Sequence, residues 1–229
     1  MNWQTNTMAN AENISTFYAK GKDYWEMVPA TIDGMLGGFS EISNIDIQAS
    51  ARFLNTFLQD KKNPLGHSRA IDCGAGIGRI TKHFLLKIFD IVDMVEQSQR
   101  FLDHAREYIG SEANRVDKLI CCGLQDFVPE PNTYDVVWCQ WVTGHLTNDH
   151  FITFLKRCKA SLRKNGVIVI KDNLSSTDEV EMDNQDSSVT RPRSLLLKLF
   201  KDAGLELLAE RKQYKFPKGL YEVKMFALR

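Results

Sequence analysis

The middle of the chain alternates between short apolar runs and longer stretches with helical periodicity. The apolar runs are typical of strands, and they cover residues 69–73, 91–96, 118–122, 134–140 and 166–172. Most of the gaps between them have the apolar spacing of helices, at residues 79–89, 98–109 and 149–163. Strands that alternate with helices predict an α/β fold, in which a parallel sheet carries helices on both faces.

The residues before this region predict a helical N-terminal extension. Apolar positions spaced by helical turns predict a helix over residues 13–27. Residues 31–43 are rich in glycine and serine, and we interpret them as a loop. A second helix is predicted from Asp46, a residue type that is common at helix N-caps, to Leu58.

The last third of the chain has a different pattern. Residues 173–190 lack apolar periodicity and contain five acidic residues but no lysine or arginine, which is typical of a solvated loop or of a lid beside a cleft. A helix is predicted over residues 192–203, and strands are predicted near 205–213 and 221–228. These two strands predict a closing hairpin that places an antiparallel strand near the edge of the sheet.

Composition and charge narrow the function classes. The chain has 229 residues, which we assign to one domain, with an N-terminal extension over 1–62 and an α/β core over 63–229. Its 29 basic and 29 acidic residues give no net charge, so no direct nucleic-acid binding is predicted. No apolar run approaches the ~20 residues that cross a bilayer. Residues 1–10 are polar and lack the core of a signal peptide, so no membrane contact is predicted.

The five cysteines predict neither a metal site nor a disulfide framework. Their number is odd, and no C-x-x-C spacing occurs. Most of them lie in or beside apolar runs, which is typical of small buried thiols in a reducing compartment. From this we predict that the protein is located in the nucleus and the cytoplasm.

A glycine-rich turn from Asp72 to Gly78 follows the first predicted strand and precedes a predicted helix. Glycines adopt positive φ and leave backbone N–H groups open to a ligand, at the positive end of the following helix. NAD enzymes, FAD enzymes and methyltransferases share such turns. Glu96, 18 positions after Gly78, ends the second strand and is suited to bind both hydroxyls of a ribose.

The spacing D-x-G-x-G-x-G resembles motif I of the class I methyltransferases that use S-adenosylmethionine (SAM). NAD enzymes have G-x-G-x-x-G instead. SAM has an amino-acid tail whose carboxylate needs a cation, and Arg79 directly follows the turn. The turn after the third strand flanks adenine in these enzymes, which makes Leu124 and Gln125 candidates for contacts with the base.

Several segments together are similar to one family, the protein N-terminal methyltransferases that act on the free α-amine of proteins beginning Xaa-Pro-Lys. The segments that carry the resemblance are Tyr24-Trp25, Asp33 to Gly38, Asp72 to Arg79, Cys121 to Phe127, Gln140 to Thr147, Ile170 to Asn173, Asp186 to Val189 and Phe226 to Arg229. The resemblance implies a Rossmann-like sheet of seven strands, two extra N-terminal helices and an added β-hairpin over the substrate channel. It also implies that SAM is the methyl donor and that S-adenosylhomocysteine is the product.

The resemblance assigns roles residue by residue. The positions that would bind SAM are Gly74, Gly76, Arg79, Glu96, Leu124, Gln125 and Gln140. The positions that would bind the peptide are Trp25, Leu36, Gly37, Trp141, Asp183, Ser188 and Tyr221. The catalytic positions would be Asp186, His145 and Asn173. The expected activity is mono-, di- or trimethylation of a protein α-amine.

The chemistry of methyl transfer fits these residue types. The nucleophile is the neutral amine, and an α-amine has a pKa of about 7.7–8.0, so a modest base and good alignment suffice. His145 and Asp186 are the candidate bases, directly or through water. The tryptophans would pack against the substrate proline, and an aromatic face attracts a methylated ammonium. Asp183 and Asp186 would bind the substrate lysine, while Asn173 would orient the amine.

Three other functions remain open from the sequence. A class I methyltransferase could act on a small molecule, although such a substrate needs no carboxylates for lysine. A degenerate member of the fold could bind or activate a partner without catalysis. NAD-linked oxidoreduction is the least favoured, because of the glycine spacing.

Overall fold

Seven strands form one mixed sheet in the computed structural model, which describes residues 11–229. Two further strands form a separate pair. In chain order, all the strands of the described residues are β1 (Arg69–Cys73), β2 (Ile91–Glu96), β3 (Val116–Cys121), β4 (Tyr134–Gln140), β5 (Leu162–Leu174), β6 (Glu181–Asp183), β7 (Ser188–Thr190), β8 (Leu207–Lys212) and β9 (Glu222–Leu228). The sheet has the order β3-β2-β1-β4-β5-β9-β8, and β6 pairs with β7 apart from it. Strands β1 to β5 pair in parallel, whereas β9 is antiparallel to both β5 and β8. The predicted parallel sheet with a closing hairpin is therefore confirmed.

Helices cover both faces of the sheet. They are α1 (Ala11–Met27), α2 (Ile32–Met35), α3 (Ser43–Leu58), α4 (Arg79–His83), α5 (Gln99–Ile109), α6 (Asn148–Ser161) and α7 (Arg193–Asp202). The apolar side chains of α3, α4 and α5 form one core cluster with the sheet, and those of α6 and α7 form the other. In the described range, no helix has the length and apolarity that a membrane crossing requires.

The central strands lie between two layers of helices, and this position explains why their sequences are apolar throughout. In β5, Val167 and Val169 belong to one core cluster, while Ile168 and Ile170 belong to the other. Successive side chains of a strand point to opposite faces, so a strand covered on both sides needs an apolar residue at every position. Trp138 follows the same rule in β4, where it packs against Phe84 with a ring separation of 4.8 Å.

Two predictions for the N-terminal extension are wrong in detail. Residues 31–43 are not a plain loop, because α2 forms within them and the side chain of Thr31 caps it by accepting the N–H of Gly34. Asp46 is not an N-cap, because α3 begins three residues earlier, at Ser43. The carboxylate of Asp46 is fully buried and bonds side chains from other elements instead.

The boundaries of later elements also differ from the predictions. The predicted helix over 79–89 divides into α4 and a separate 3-10 turn, Leu85–Lys87, because Phe84 leaves the helical conformation. Strand β5 begins earlier than predicted, at Leu162, and α6 ends before it. Three cysteines, Cys73, Cys139 and Cys158, are buried as predicted, whereas Cys121 is exposed.

The acidic segment after β5 forms the added hairpin that the resemblance implied. Strands β6 and β7 pair antiparallel within it. Arg191, directly after β7, is buried, and its guanidinium donates hydrogen bonds to the carbonyls of Thr143 and Leu146. The end of the hairpin is therefore fixed to the segment that follows β4. The prediction for residues 1–10 lies outside the described residues, and the division of the chain at residues 62 and 63 stays a prediction.

Candidate functional site

A cavity of about 1010 Å³ opens at the carboxyl ends of β1, β2, β3 and β4, and α1 forms another part of its wall. This volume includes the open mouth of the cavity, which lies where open α/β sheets bind their ligands. All positions that were predicted to bind a methyl donor line it, namely Gly74, Gly76, Arg79, Glu96, Leu124, Gln125 and Gln140. Three positions predicted for the acceptor side line it as well, namely Trp25, Trp141 and His145.

The glycine turn is a cradle without room for side chains. Gly74 has φ = 74° and Gly76 has φ = 54°, both in the left-handed region that favours glycine. A Cβ on Gly74 would lie 2.4 Å from the side chain of Val142, and one on Gly76 would lie 2.4 Å from Sδ of Met35. Asp72 stabilises the turn, since its carboxylate accepts hydrogen bonds from the N–H and the hydroxyl of Thr81. Bare backbone therefore faces the cavity.

Glu96 presents a buried carboxylate to the same cavity. Its two oxygens accept the backbone N–H groups of Gly76 and Ser98, at 2.9 and 3.0 Å. Burial raises the pKa of Glu96, and these two N–H groups oppose the rise. A carboxylate has about four acceptor positions, so Glu96 can still accept hydrogen bonds from ligand hydroxyls.

Arg79 connects the cavity to a buried charge network. Its Nη1 lies 2.8 Å from Oδ2 of Asp46, and its guanidinium carbon lies 5.7 Å from the ring centre of Trp141. Gln140 donates to both carboxylate oxygens of Asp46 and accepts the indole N–H of Trp138. Gln140 thus lies at the wall, but protein groups already bond both the oxygen and the nitrogen of its amide.

The acceptor side joins a helix of the extension to the segment after β4. The indole N–H of Trp25 donates to Nε2 of His145 at 2.9 Å. Nε2 therefore acts as an acceptor and carries no proton in this arrangement. Burial lowers the pKa of His145, although the nearby Asp186 opposes the shift. The imidazole is neutral at physiological pH, and its basic lone pair is already bonded.

Two buried polar atoms near Trp25 have no hydrogen-bond partner among residues 11–229. They are Oδ1 of Asp186 and Nδ1 of His145. The main chain of Ser187 lies near the ring and raises the pKa of His145, but Nδ1 has no hydrogen bond of ordinary geometry. Oδ2 of Asp186 lies 3.9 Å from Nε2 of His145, beyond hydrogen-bond range. Buried polar groups are rarely left unpaired, so Oδ1 of Asp186 marks a place for a donor from a ligand.

Trp141 is held in a conformation that side chains seldom adopt. Its φ of 52° lies in the left-handed region, and its N–H donates to the carbonyl of Lys171 at 2.9 Å. The ring lies near the guanidinium of Arg79 and near the ring of Phe216, at 6.3 Å between ring centres. Strained backbone of this kind is concentrated at functional sites, where the surroundings fix a side chain in one position.

The other predicted residues are not among those that line the cavity, and this includes Asp186, although its neighbour Ser187 does line it. Leu36 and Gly37 follow α2, and Asn173 lies near the end of β5, where it pairs with β9. Asp183 and Ser188 face each other in the β6–β7 hairpin, and Asp183 is exposed. Tyr221 is attached to the same hairpin, since its hydroxyl donates to Glu181 at 2.7 Å. The structure therefore places Asp183, Ser188 and Tyr221 at the hairpin, whereas Leu36, Gly37 and Asn173 lie in other elements.

Sequence reasoning missed several wall residues. Tyr18 and Gly21 of α1 line the cavity together with Trp25, and helical spacing, three and seven positions apart, was the available signal. Met35 packs against the glycine turn, and no periodicity predicts that contact. Within the described range, no group of three or more potential ligands could hold a metal ion.

The donor set suits a nucleoside with an amino-acid tail. The cradle leaves backbone open, Glu96 can accept ribose hydroxyls, and Arg79 can bind a carboxylate. The segment from Gly123 to Gln125 and the ring of Phe101 supply apolar wall for a base. Each of these features matches a part of SAM.

Comparison with known proteins gives consistent results. The family described as AdoMet-dependent proline di-methyltransferase matches residues 13–229. The protein named N-terminal Xaa-Pro-Lys N-methyltransferase 1 of Homo sapiens is 53% identical over 218 residues, which are 95% of this chain and 97% of that protein. The protein of the same name from Mus musculus is 52% identical over 218 residues, with the same coverage.

Solved structures extend the comparison to the fold. A SAM-dependent methyltransferase of Leishmania major superposes with a TM-score of 0.87 at 37% identity, over 93% of this chain and 83% of that chain. Phosphoethanolamine N-methyltransferase 1 of Haemonchus contortus, in complex with phosphoethanolamine and S-adenosylhomocysteine, has a TM-score of 0.68 at 18% identity. That match covers 96% of this chain and 50% of the other, and it concerns the fold alone.

Proposed function

The chain belongs to the family of AdoMet-dependent proline di-methyltransferases, and from this premise we propose that it methylates the free α-amine of proteins that begin Xaa-Pro-Lys. The family prediction, the class I methyltransferase fold and the prediction of a SAM-dependent protein N-terminal methyltransferase are confirmed. The substrate, the positions of its atoms and the roles of individual residues are our proposal for this chain.

The observation that carries the proposal is Oδ1 of Asp186, which has no hydrogen-bond partner among the residues that the structure describes. This oxygen is buried, and it lies beside the pair formed by Trp25 and His145. An amine or ammonium at the end of a peptide would donate to it and remove the cost of an unpaired buried acceptor. A substrate without a donor at its reacting end would leave the oxygen unpaired.

The donor half of the cavity would hold SAM through three groups. Arg79 would bind the carboxylate of the amino-acid tail, and Glu96 would accept hydrogen bonds from the ribose hydroxyls. Leu124 and Gln125 would flank the adenine. SAM supplies a methyl group on a positively charged sulfur and leaves as S-adenosylhomocysteine.

The acceptor half would align a neutral amine with that methyl group. An α-amine with a pKa of about 7.7–8.0 is partly neutral at pH 7, so the enzyme needs to hold the neutral form and to remove one proton per methyl added. Asp186 is the better placed acceptor for that proton, because its Oδ1 is unpaired. His145 can take it only if the indole of Trp25 moves away from Nε2. We propose that Trp25 and His145 exclude water from the side of Asp186.

The rest of the peptide would be bound by the hairpin and the two tryptophans. Trp25 and Trp141 would contact the proline, whose fixed ring suits an aromatic wall. Asp183 and Ser188 would bind the lysine, and Tyr221, directly before β9, would support the hairpin. Leu36, Gly37 and Asn173 would complete the channel, with Asn173 bound to the α-amine. For the cellular location, nucleus and cytoplasm remain our proposal.

A mass-spectrometric assay tests this function. The protein is incubated with SAM and a short peptide that begins Ser-Pro-Lys, and the mass gain per methyl group is measured. The matched control is the same peptide acetylated at its N-terminus. We expect methylation of the free peptide alone. Methylation of both peptides would identify the lysine side chain as the acceptor, and methylation of neither would contradict the proposed function.

A further inference from the structure

Asp46 is a buried carboxylate that joins the extension to the edge of the sheet. It lies in the first turn of α3, and its side chain has no solvent exposure. Its oxygens accept hydrogen bonds from Arg79 in α4, from Gln140 at the end of β4 and from Lys171 in β5. One carboxylate thus bonds three elements, two of which, α4 and β4, contribute residues to the cavity wall.

Lys171 holds Asp46 from the side away from the cavity. Its ammonium is fully buried and bonds Asp46, Ser50 and Gln213, the last two at 3.0 and 2.8 Å. Burial lowers the pKa of Lys171, and the charge of Asp46 opposes this. A buried lysine is stable only where its charge is paired and its N–H groups are bonded, and both conditions are met here. Lys171 does not line the cavity, so the network reaches the cavity through Arg79 and Gln140.

Arg79 is bonded on one nitrogen only. Among residues 11–229, its side-chain hydrogen bonds run from Nη1, to Asp46 at 2.8 Å and to Ser43 at 3.3 Å. Arg79 lines the cavity, and the remaining N–H groups of its fork are available to a ligand. An arginine binds a carboxylate best when its planar fork is held in one orientation. Asp46 supplies that restraint.

We propose that Asp46 is a positioning residue for donor binding: it holds Nη1 of Arg79 so that the rest of the guanidinium receives the carboxylate of the donor. The inference rests on the proposed function, because the ligand is the amino-acid tail of SAM. It places part of the donor site in the N-terminal extension, outside the glycine turn and the strand ends. Lys171 in turn fixes Asp46 against β5, so that α3 keeps its position on the sheet.

The test uses two ligands that differ in the amino-acid tail. S-Adenosylhomocysteine carries the tail and its carboxylate, whereas 5′-methylthioadenosine has the adenosine and sulfur without the tail. Binding of each to the full chain is measured by titration calorimetry, for the wild type and for Asp46→Asn. We expect Asp46→Asn to weaken the binding of S-adenosylhomocysteine by roughly 10-fold or more and the binding of methylthioadenosine by less than about 2-fold. Only the first ligand needs the oriented guanidinium.

Matched variants separate positioning from damage to the fold. Asp93 is also fully buried and bonded by an arginine, but that arginine, Arg69, does not line the cavity, whereas Arg79 does. Asp93→Asn is expected to weaken neither ligand selectively. If Asp46→Asn does not fold, the double variant Asp46→Leu/Lys171→Met removes the buried ion pair and keeps apolar packing, and the same selective loss is expected.

A double-mutant cycle with Arg79 adds an independent readout. Arg79→Lys should by itself weaken the binding of S-adenosylhomocysteine. Adding Asp46→Asn to it should cause little further loss of affinity, because Asp46 acts through the guanidinium. Equal weakening of both ligands by Asp46→Asn, no weakening of either, or additive losses in the cycle would overturn the inference. If the wild type binds neither ligand, the proposed function fails first, and that result is distinct from a selective effect of the variants.

Discussion

The donor half of the cavity and the acceptor half differ in how their polar groups are held. On the donor side, Glu96 accepts two backbone N–H groups, and Asp46 is bonded by two cations and an amide. On the acceptor side, Asp186 keeps one buried oxygen without a partner in the described range. A small donor that is the same in every turnover suits a site completed in advance. A protein chain supplies its own hydrogen-bond donors, and the site leaves acceptors for it.

The two halves also differ in the length of chain that each bond spans. The bond from Glu96 to the glycine turn connects neighbouring parallel strands, which any sheet of this topology brings together. The bond from Trp25 to His145 connects residues 120 positions apart, through a helix that lies outside the sheet. The acceptor half therefore depends on how α1 and the hairpin dock, whereas the glycine turn and Glu96 of the donor half depend on the sheet itself.

The largest effect is expected from Asp186→Asn. This change keeps the shape of the side chain but removes the proton acceptor, so kcat should fall by about 10²–10⁴-fold. The dissociation constant of SAM should change by less than about 2-fold, because Asp186 is not among the residues that line the cavity. Single-turnover kinetics and calorimetry measure the two quantities.

The matched control for that variant is Glu179→Gln in the same acidic segment, which is exposed. It should leave kcat unchanged. An equal loss of donor binding and turnover in Asp186→Asn would contradict the separation of the two halves.

Glu96→Gln should have the opposite pattern. The change removes the charge that receives the ribose hydroxyls, and a hydrogen bond to a charged group is worth about 1.5–3 kcal/mol. The dissociation constant of SAM should therefore rise by about 10- to 100-fold, while kcat at saturating SAM stays within about 3-fold. A loss confined to kcat would assign Glu96 to the acceptor half and contradict the difference between the two halves.

Alanine substitutions at Gly74 and Gly76 should differ in how much they lower the stability of the fold. A Cβ at Gly74 would meet Val142, a stiff β-branched side chain, whereas a Cβ at Gly76 would meet the flexible side chain of Met35. Both changes force a residue with a side chain into positive φ, at a cost of about 1–3 kcal/mol. We expect Gly74→Ala to lower the free energy of unfolding more than Gly76→Ala does, as measured by urea denaturation. The reverse order would show that Met35 cannot move.

The smallest effect is a change in pKa from Trp25→Phe. The indole N–H bonds the neutral form of His145 and so lowers its pKa further than burial alone. Loss of this bond should raise the pKa of His145, because the neutral ring loses a donor that favours it. NMR titration of the imidazole in the peptide-free protein measures it. An unchanged pKa would mean that the indole bond does not favour the neutral ring.

Local sequence was enough to predict the residues that line the donor half of the cavity and most of the strands of the sheet. Three strands have the predicted bounds, because the apolar run of each strand is bordered by glycine or by a polar residue. They are Arg69–Cys73, Ile91–Glu96 and Tyr134–Gln140. The glycine turn encodes its own geometry in adjacent residues. The positions of the donor residues at the strand ends follow from the parallel topology.

Long-range contacts explain what the sequence did not reveal. Asp46 has the composition of an N-cap, but its partners Arg79 and Lys171 are 33 and 125 positions away, and their charges decide where it lies. The bond between Trp25 and His145 was equally invisible, since each residue had a reasonable separate role. Pairings of this kind depend on how helices dock on the sheet, which no local pattern states.

The ion pair between Asp46 and Lys171 has a consequence for engineering chimeras. An experimenter who wishes to change peptide preference would naturally exchange residues 1–62 with those of a relative. If the incoming segment lacks an acid at the position of Asp46, Lys171 would be left buried with no carboxylate bonded to it in the described part of the chain. Transplants of the extension should therefore carry this one acid with them, or replace Lys171 in the same step.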